Sequence, residues 1–115
     1  MHRKSSRVPL PWDAAASLAV IGEGLRAARL RRRLPASDLA ERIGVSLPTL
    51  RKLERGDPTV SLGVFAAAAW VLGLLVPVRE AVRPENDRFA AAIEAARLPK
   101  RARRPRSREV DLDRL

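Results

Sequence analysis

The chain has no cysteine and no tyrosine, and it carries one histidine and four phenylalanine or tryptophan residues. Without cysteine it can form neither disulfides nor thiolate metal sites. The histidine, His2, stands in the basic N-terminal stretch, and phosphate-loop and metal motifs are absent from the sequence, so we expect no enzyme, no cofactor and no metal site. The few aromatic residues also disfavour RNA binding through bases stacked on aromatic rings.

Long apolar runs are lacking too, apart from residues 58–78, which contain no charge. About 20 apolar residues can cross a bilayer, so this length is marginally sufficient. The stretch is rich in alanine, however, and Pro77 interrupts it. We therefore favour a buried helix of a small domain over a membrane span, and the N-terminus shows no secretory signal.

Basic residues are concentrated at the two ends of the chain. The 23 basic and 13 acidic residues among 115 give a net charge of +10. Residues 1–34 and 100–115 carry net charges of +6 and +4, whereas residues 35–99 are neutral. One neutral domain with basic arms suits binding to a polyanion, with nucleic acid the first candidate and an anionic membrane surface the second.

Prolines and apolar periodicity predict an all-α fold of five to six helices. The first helix should begin near Ser17 or Leu18, after a flexible basic arm. The uncharged segment predicts a fourth helix, which Ser61 would cap. Beyond it, we expect a short helix after Pro77 and another that starts at Pro84.

Residues 36–53 have the pattern of two short helices joined by a sharp turn. Gly44 stands where the chain must turn through positive φ, and Ala40 is small enough for two helix backbones to approach. Ser46 offers its hydroxyl as an N-cap to the next helix, and Pro48 falls in the first turn, where no intrahelical N–H is needed. These features together predict a helix-turn-helix unit.

The second helix of this unit separates apolar from basic residues. At about 100° per residue, Leu50 and Leu53 lie on one side with Glu54 at its edge, and the opposite side is basic or small. Such a side fits the major groove of DNA, although a solvated cationic face is the alternative for a helix taken alone. The outward residues are Pro48, Arg51, Lys52 and Arg55.

Residues 21–74 resemble the Xre-type, or lambda-repressor-like, family of helix-turn-helix domains, most clearly in "DLAERIGVSLPTLRKLERG". The resemblance covers about half of the chain and implies a homodimer whose third helix enters the major groove of double-stranded DNA. It also implies a structural ion pair between an arginine of the first helix and a glutamate of the third, here Arg29 and Glu54. A phosphate contact is the alternative for Arg29.

Three positions depart from that family. Ala36 and Leu47 stand where members often carry glutamine for a phosphate and for a base, and Pro35 stands at the usual hydroxyl cap of the second helix. Leu47 would either contact a thymine methyl group or pack against the second helix. The side chains expected to address bases are Thr49, Arg51 and Lys52.

Residues 56–75 and 83–103 are also similar to small antitoxins encoded beside HipA-type kinase toxins, which repress their own operon and bind the toxin. In that group a C-terminal strand can pair across the dimer. The closing "EVDLDRL" would fill this role, with a frayed tail as the alternative. A toxin kinase is therefore a candidate partner, and the alternative function is an interaction module that mainly masks such a kinase.

We predict a sequence-specific transcriptional repressor that acts as a dimer on an inverted repeat, in the cytoplasm at the nucleoid. The predicted parts are a basic flexible arm at 1–17, a helix-turn-helix DNA-binding domain at 18–76, short C-terminal helices at 77–99 and a basic tail at 100–115. The predicted DNA contacts are Arg31, Arg32, Arg33, Ser46, Leu47, Pro48, Thr49, Arg51, Lys52 and Arg55.

Overall fold

The structure is a computed structural model, and it describes residues 9–98. Within that range there are six α-helices and one 3₁₀ turn but no strand, so the all-α prediction is confirmed there. The helices are α1 (Trp12–Arg31), α2 (Ala36–Ile43), α3 (Leu47–Glu54), α4 (Leu62–Val71), α5 (Leu75–Ala81) and α6 (Arg88–Arg97). The predicted tail at 100–115, with its candidate strand, lies outside the described residues, as do the first eight residues of the predicted arm.

The predicted start of the first helix near Ser17 or Leu18 is wrong, because α1 begins at Trp12. Asp13 lies in its first turn, where a carboxylate interacts favourably with the positive end of the helix dipole. The three alanines that follow are strong helix formers. The part of the predicted arm from Trp12 onwards is therefore helical, since the helix-breaking prolines all precede it.

The C-terminal helices also begin at other residues than predicted. α5 begins at Leu75, so Pro77 lies in its first turn, where a missing N–H costs no intrahelical hydrogen bond. The helix expected from Pro84 is divided, because Pro84–Asn86 form a 3₁₀ turn. Asp87 then caps α6 by accepting a hydrogen bond from the backbone N–H of Ala90 at 2.9 Å.

The connection between α2 and α3 is confirmed as predicted. Gly44 has a φ of +74°, the left-handed conformation that glycine adopts without steric cost. Directly after it, the backbone N–H of Val45 donates to the carbonyl of Ala40 at 3.0 Å. Ser46 caps α3, since its Oγ accepts a hydrogen bond from the backbone N–H of Thr49 at 3.2 Å. The direction of α3 is thus set by local hydrogen bonds.

The core lies where the first four helices meet. α2 packs against both α3 and α4, and α1 packs against α3. The side chains of Leu39, Leu50 and Leu72 are fully buried. Each stabilises the folded state by about 1.5–3 kcal/mol relative to an exposed leucine. Together with five further buried residues they form the core cluster. These are Leu25, Ala28, Ala40, Leu53 and Ala68.

The predicted fourth helix is α4, which occupies Leu62–Val71 of the uncharged segment. Ser61 caps it as predicted, accepting a hydrogen bond from the backbone N–H of Val64 at 3.1 Å. Ala68 and Ala69 are buried, whereas Trp70 is 71% exposed. Between residues 9 and 98, no helix is both long and apolar enough to cross a membrane.

The chain divides within α5 into one unit that extends to Arg79 and another that begins at Glu80. The second unit contains the 3₁₀ turn and α6. Its turn is joined to the end of α5 by a hydrogen bond from Asn86 Nδ2 to the Glu80 carbonyl at 2.6 Å. Arg83 adds ion pairs to Glu80 at 3.4 Å and to Glu85 at 2.9 Å.

Candidate nucleic-acid interface

α3 exposes its basic residues because its apolar residues belong to the core. Leu50 and Leu53 are buried, whereas Arg51, Lys52 and Arg55 are exposed. Burial of two leucines one turn apart fixes the rotation of the helix about its axis. The cations therefore face solvent as a consequence of core packing.

An open groove runs along the exposed side of α3, and we call it the α3 groove. It brings five of the ten predicted DNA contacts together on one surface. They are Leu47, Pro48, Arg51, Lys52 and Arg55. A surface on which three cations meet without an acid attracts polyanions, and backbone phosphates and guanine acceptors are both ligands of arginine and lysine.

Leu47 takes part in both the core and the α3 groove. It is half-buried, and its side chain packs against the core cluster. The same residue lines the groove beside Pro48. Leu47 therefore packs on the core, and part of its side chain stays available to a ligand in the groove.

The N-terminus of α3 carries a hydrogen-bonded pair of hydroxyl groups. Ser46 Oγ donates to Thr49 Oγ1 at 3.0 Å while it accepts from the backbone N–H of Thr49. The proton of Ser46 is therefore used within the chain. Thr49 accepts in that bond, so its own hydroxyl proton stays free for an external acceptor.

The three consecutive arginines at the C-terminal end of α1 do not line the α3 groove. Arg31 is exposed in the last turn of α1. Arg32 Nη1 donates to the carbonyl of Ala28 at 2.7 Å and so caps the end of that helix. Arg33 has a φ of +53°, an uncommon value for a residue with a side chain, where the chain turns towards α2.

Arg29 and Glu54 join α1 to α3. The pair is bidentate, with Nε 2.7 Å from Oε2 and Nη2 3.1 Å from Oε1. Arg29 Nη1 also donates to the Leu34 carbonyl at 3.0 Å. Because the arginine is buried and all three of its nitrogens are bonded, this geometry argues against the alternative of a phosphate contact.

Gly22, for which the sequence pattern predicts no role, lies where α1 approaches the end of α3. A Cβ at Gly22 would stand 2.6 Å from the backbone nitrogen of Gly56 and 2.7 Å from the carbonyl oxygen of Glu54. Gly56 has a φ of +76°, and a Cβ there would overlap the carbonyl of Leu18. The two backbones are therefore in direct contact. The only signal in the sequence is a glycine inside a helical pattern.

The turn after α3 is held by Asp57. Its Oδ1 accepts hydrogen bonds from the backbone N–H of Thr59 at 2.9 Å and from Thr59 Oγ1 at 2.7 Å. These two bonds, assisted by the charges of Lys52 and Arg55, hold the pKa of the Asp57 carboxyl below its ordinary value of 3.8. The carboxylate is thus ionised at neutral pH, and its two hydrogen bonds stabilise the turn.

No metal site accompanies this interface in the described residues. Between residues 9 and 98, no group of three or more acidic or histidine side chains could hold a metal ion. An apolar hollow of about 260 Å³ lies between α1 and α4. Its two polar residues, Asp57 and Ser61, already bond within the chain.

Residues 20–82 match the sequence model of a family described as a helix-turn-helix domain. The match covers more than half of the chain and includes all of α2, α3 and α4. Comparisons with curated proteins and with solved structures gave no match.

Proposed function

Because this chain belongs to the helix-turn-helix domain family, we propose that it is a sequence-specific transcriptional repressor that binds double-stranded DNA as a dimer. The main support for this proposal is the α3 groove. Its three exposed cations lie on a helix that the core and the Arg29–Glu54 ion pair hold in one orientation. The protein would need no cofactor and would catalyse no reaction.

In this proposal, α3 enters the major groove, and its side chains bind different chemical groups of the DNA. Arg51 and Lys52 donate to guanine O6 and N7, and the free hydroxyl proton of Thr49 reaches a base acceptor. The exposed part of Leu47 contacts a thymine methyl group. Arg55 binds a phosphate, which positions α3 without reading sequence.

The arginines outside the α3 groove would contribute electrostatically. Arg31, Arg32 and Arg33 are exposed at the end of α1, where they can bind phosphates flanking the groove. The basic ends of the chain would add affinity that is independent of sequence. Such contacts strengthen binding to operator and to random DNA alike.

Two-fold symmetry of the dimer would set the form of the operator. Two copies of α3 in successive major grooves require half-sites roughly 34–36 Å apart, about one helical turn, in inverted orientation. The protein would act in the cytoplasm, at the nucleoid.

Selection of bound duplexes from a random pool tests the proposal directly. We expect the full chain to recover one palindromic sequence and to bind it as two copies per duplex, measured by the mass of the complex. Arg51→Ala with Lys52→Ala serves as the control, because it removes the proposed readers and should recover no sequence. Unselective recovery by the wild-type chain would contradict sequence-specific repression.

A second candidate is an antitoxin that masks a kinase-like partner. It is favoured by large apolar side chains that stand in solvent, since aromatic residues are enriched where proteins bind one another. Leu62 and Trp70 of α4 are 78% and 71% exposed, and Phe89 of α6 is 77% exposed.

Co-expression with the product of a neighbouring kinase-like reading frame tests this candidate. We expect the two chains to copurify and Trp70→Ala to weaken the complex while DNA binding persists. Tight operator binding by a chain that retains no such partner would count against it.

A further inference from the structure

A second groove lies between α1 and α3, and we call it the α1–α3 groove. It shares Arg51 and Arg55 with the α3 groove and adds residues of α1 that are far away in sequence. Its lining consists of Ala19, Glu23, Arg26, Arg51, Glu54 and Arg55. Sequence periodicity assigned no role to Arg26, because it lies 25 residues before Arg51.

The α1–α3 groove carries a positive charge. Its two acids are Glu23 and Glu54, but the charge of Glu54 is compensated by its bidentate bond to Arg29. Three arginines therefore face one uncompensated carboxylate. Like charges that line one groove repel each other, and a bound anion removes that cost.

Arg26 is held only loosely by its neighbour. Its Nη1 lies 3.8 Å from Glu23 Oε2, and the two side chains are 50% and 68% exposed. An exposed ion pair of this length contributes little to stability. A phosphate can therefore take the place of Glu23 beside the guanidinium, which binds phosphate with better geometry than a distant carboxylate.

We propose that the α1–α3 groove binds a phosphate of the DNA backbone, with Arg26 and Arg55 as its ligands and Glu23 as an internal competitor. The inference rests on the proposed DNA binding and extends the contact surface from α3 to α1. Arg26 would then anchor the duplex beside the helix that reads it. Its contact adds affinity without sequence preference.

The test compares Glu23→Gln with the double variant Glu23→Gln, Arg26→Ala. Using Glu23→Gln as the reference avoids leaving an unpaired carboxylate in the groove. The association constant for the selected operator and for a random duplex is measured over a range of salt concentrations. Arg97→Ala in α6 is the matched control, since it removes one exposed arginine elsewhere in the chain.

We expect Glu23→Gln to bind both duplexes more tightly than the wild-type chain. Adding Arg26→Ala should lower the slope of log K against log salt by about 0.9, the value for one phosphate contact. The affinity should fall on the order of five- to tenfold at 0.1 M salt on both duplexes. Arg97→Ala should leave the slope unchanged, and all variants should unfold near the wild-type temperature.

An unchanged slope in the double variant, with the wild-type chain bound to DNA, would overturn the groove as a phosphate site and leave the proposed function standing. An equal loss of slope in Arg97→Ala would show an effect of net charge and would also overturn it. If the wild-type chain binds no duplex, the proposed function fails and the phosphate site fails with it.

Discussion

Arg29 of α1 and Glu54 of α3 form a bidentate ion pair, with nitrogen to oxygen distances of 2.7 and 3.1 Å, and both side chains are less than a tenth exposed. The remaining guanidinium nitrogen donates to the carbonyl of Leu34 at 3.0 Å. The pair joins residues that are 25 positions apart. It therefore sets the position of α3 relative to α1, and with it the placement of the exposed cations.

Glu54→Ala should destabilise the protein by about 3–5 kcal/mol, because it leaves the charge of Arg29 buried without a partner. The free energy of unfolding in urea measures this loss. Replacing both residues, by Arg29→Met with Glu54→Leu, should lower the free energy of unfolding by less than Glu54→Ala alone. Glu23→Ala is the control, since its exposed pair should contribute less than ~1 kcal/mol. Equal effects of Glu54→Ala and Glu23→Ala would show that the buried pair does not hold the helices.

Gly22→Ala should destabilise the protein by about 1–3 kcal/mol, because the new methyl group meets backbone atoms that cannot move aside. Gly24→Ala is a matched control in the same helix, with nothing within 4 Å of its Cβ. It should instead stabilise α1 by roughly 0.5–1 kcal/mol. Thermal unfolding of the two variants checks the prediction, and a common sign for the two shifts would be inconsistent with a backbone contact at Gly22.

Arg51→Ala should weaken binding to the selected operator by about 1–3 kcal/mol and change binding to random DNA little, because Arg51 is proposed to read a base. Arg55→Ala should weaken both complexes alike, since a phosphate contact carries no sequence information. Titrations of both duplexes at one salt concentration separate the two roles. An equal loss on both duplexes for Arg51→Ala would make Arg51 a phosphate contact.

Asp57 should make folding depend on pH in the acid range. Its pKa is lowered in the folded chain, chiefly by the hydrogen bond from the backbone N–H of Thr59, so its contribution to stability is present above the ordinary value of 3.8. That contribution is lost as the pH falls through the depressed pKa of the folded state. The free energy of unfolding of the wild-type chain and of Asp57→Asn, determined from neutral to acid pH, measures this contribution. The variant should lose less stability over this window, and parallel curves would refute the role of Asp57.

Much of α2, α3 and α4 could be predicted from neighbouring residues. Gly44, Ser46 and Ser61 act within a few positions of the chain, and each has the role that its residue type predicts. The start of α1 was misjudged, because the alanines before Leu18 extend the helix without adding to its apolar pattern. The helix predicted after Pro77 begins at Leu75 instead, because a proline in the first turn of a helix lacks only an N–H that has no intrahelical partner.

The residues proposed to face DNA could be predicted only in part. The cations of α3 follow from helical periodicity, because leucines one turn apart bury one side and expose the other. Periodicity cannot show that Arg32 caps its own helix or that Arg33 adopts a positive φ. These details depend on the backbone conformation of the connection between α1 and α2.

The all-α class, the caps, the turn before α3 and the basic side of that helix follow from the order of the residues alone. These features arise from hydrogen bonds and periodicity among residues a few positions apart. The contact of Gly22 with Gly56 and the groove that Arg26 shares with Arg51 and Arg55 arise from the packing of the folded chain. Packing of α1 against α3 joins residues that are distant in the chain, and this proximity leaves no periodic signal in the sequence.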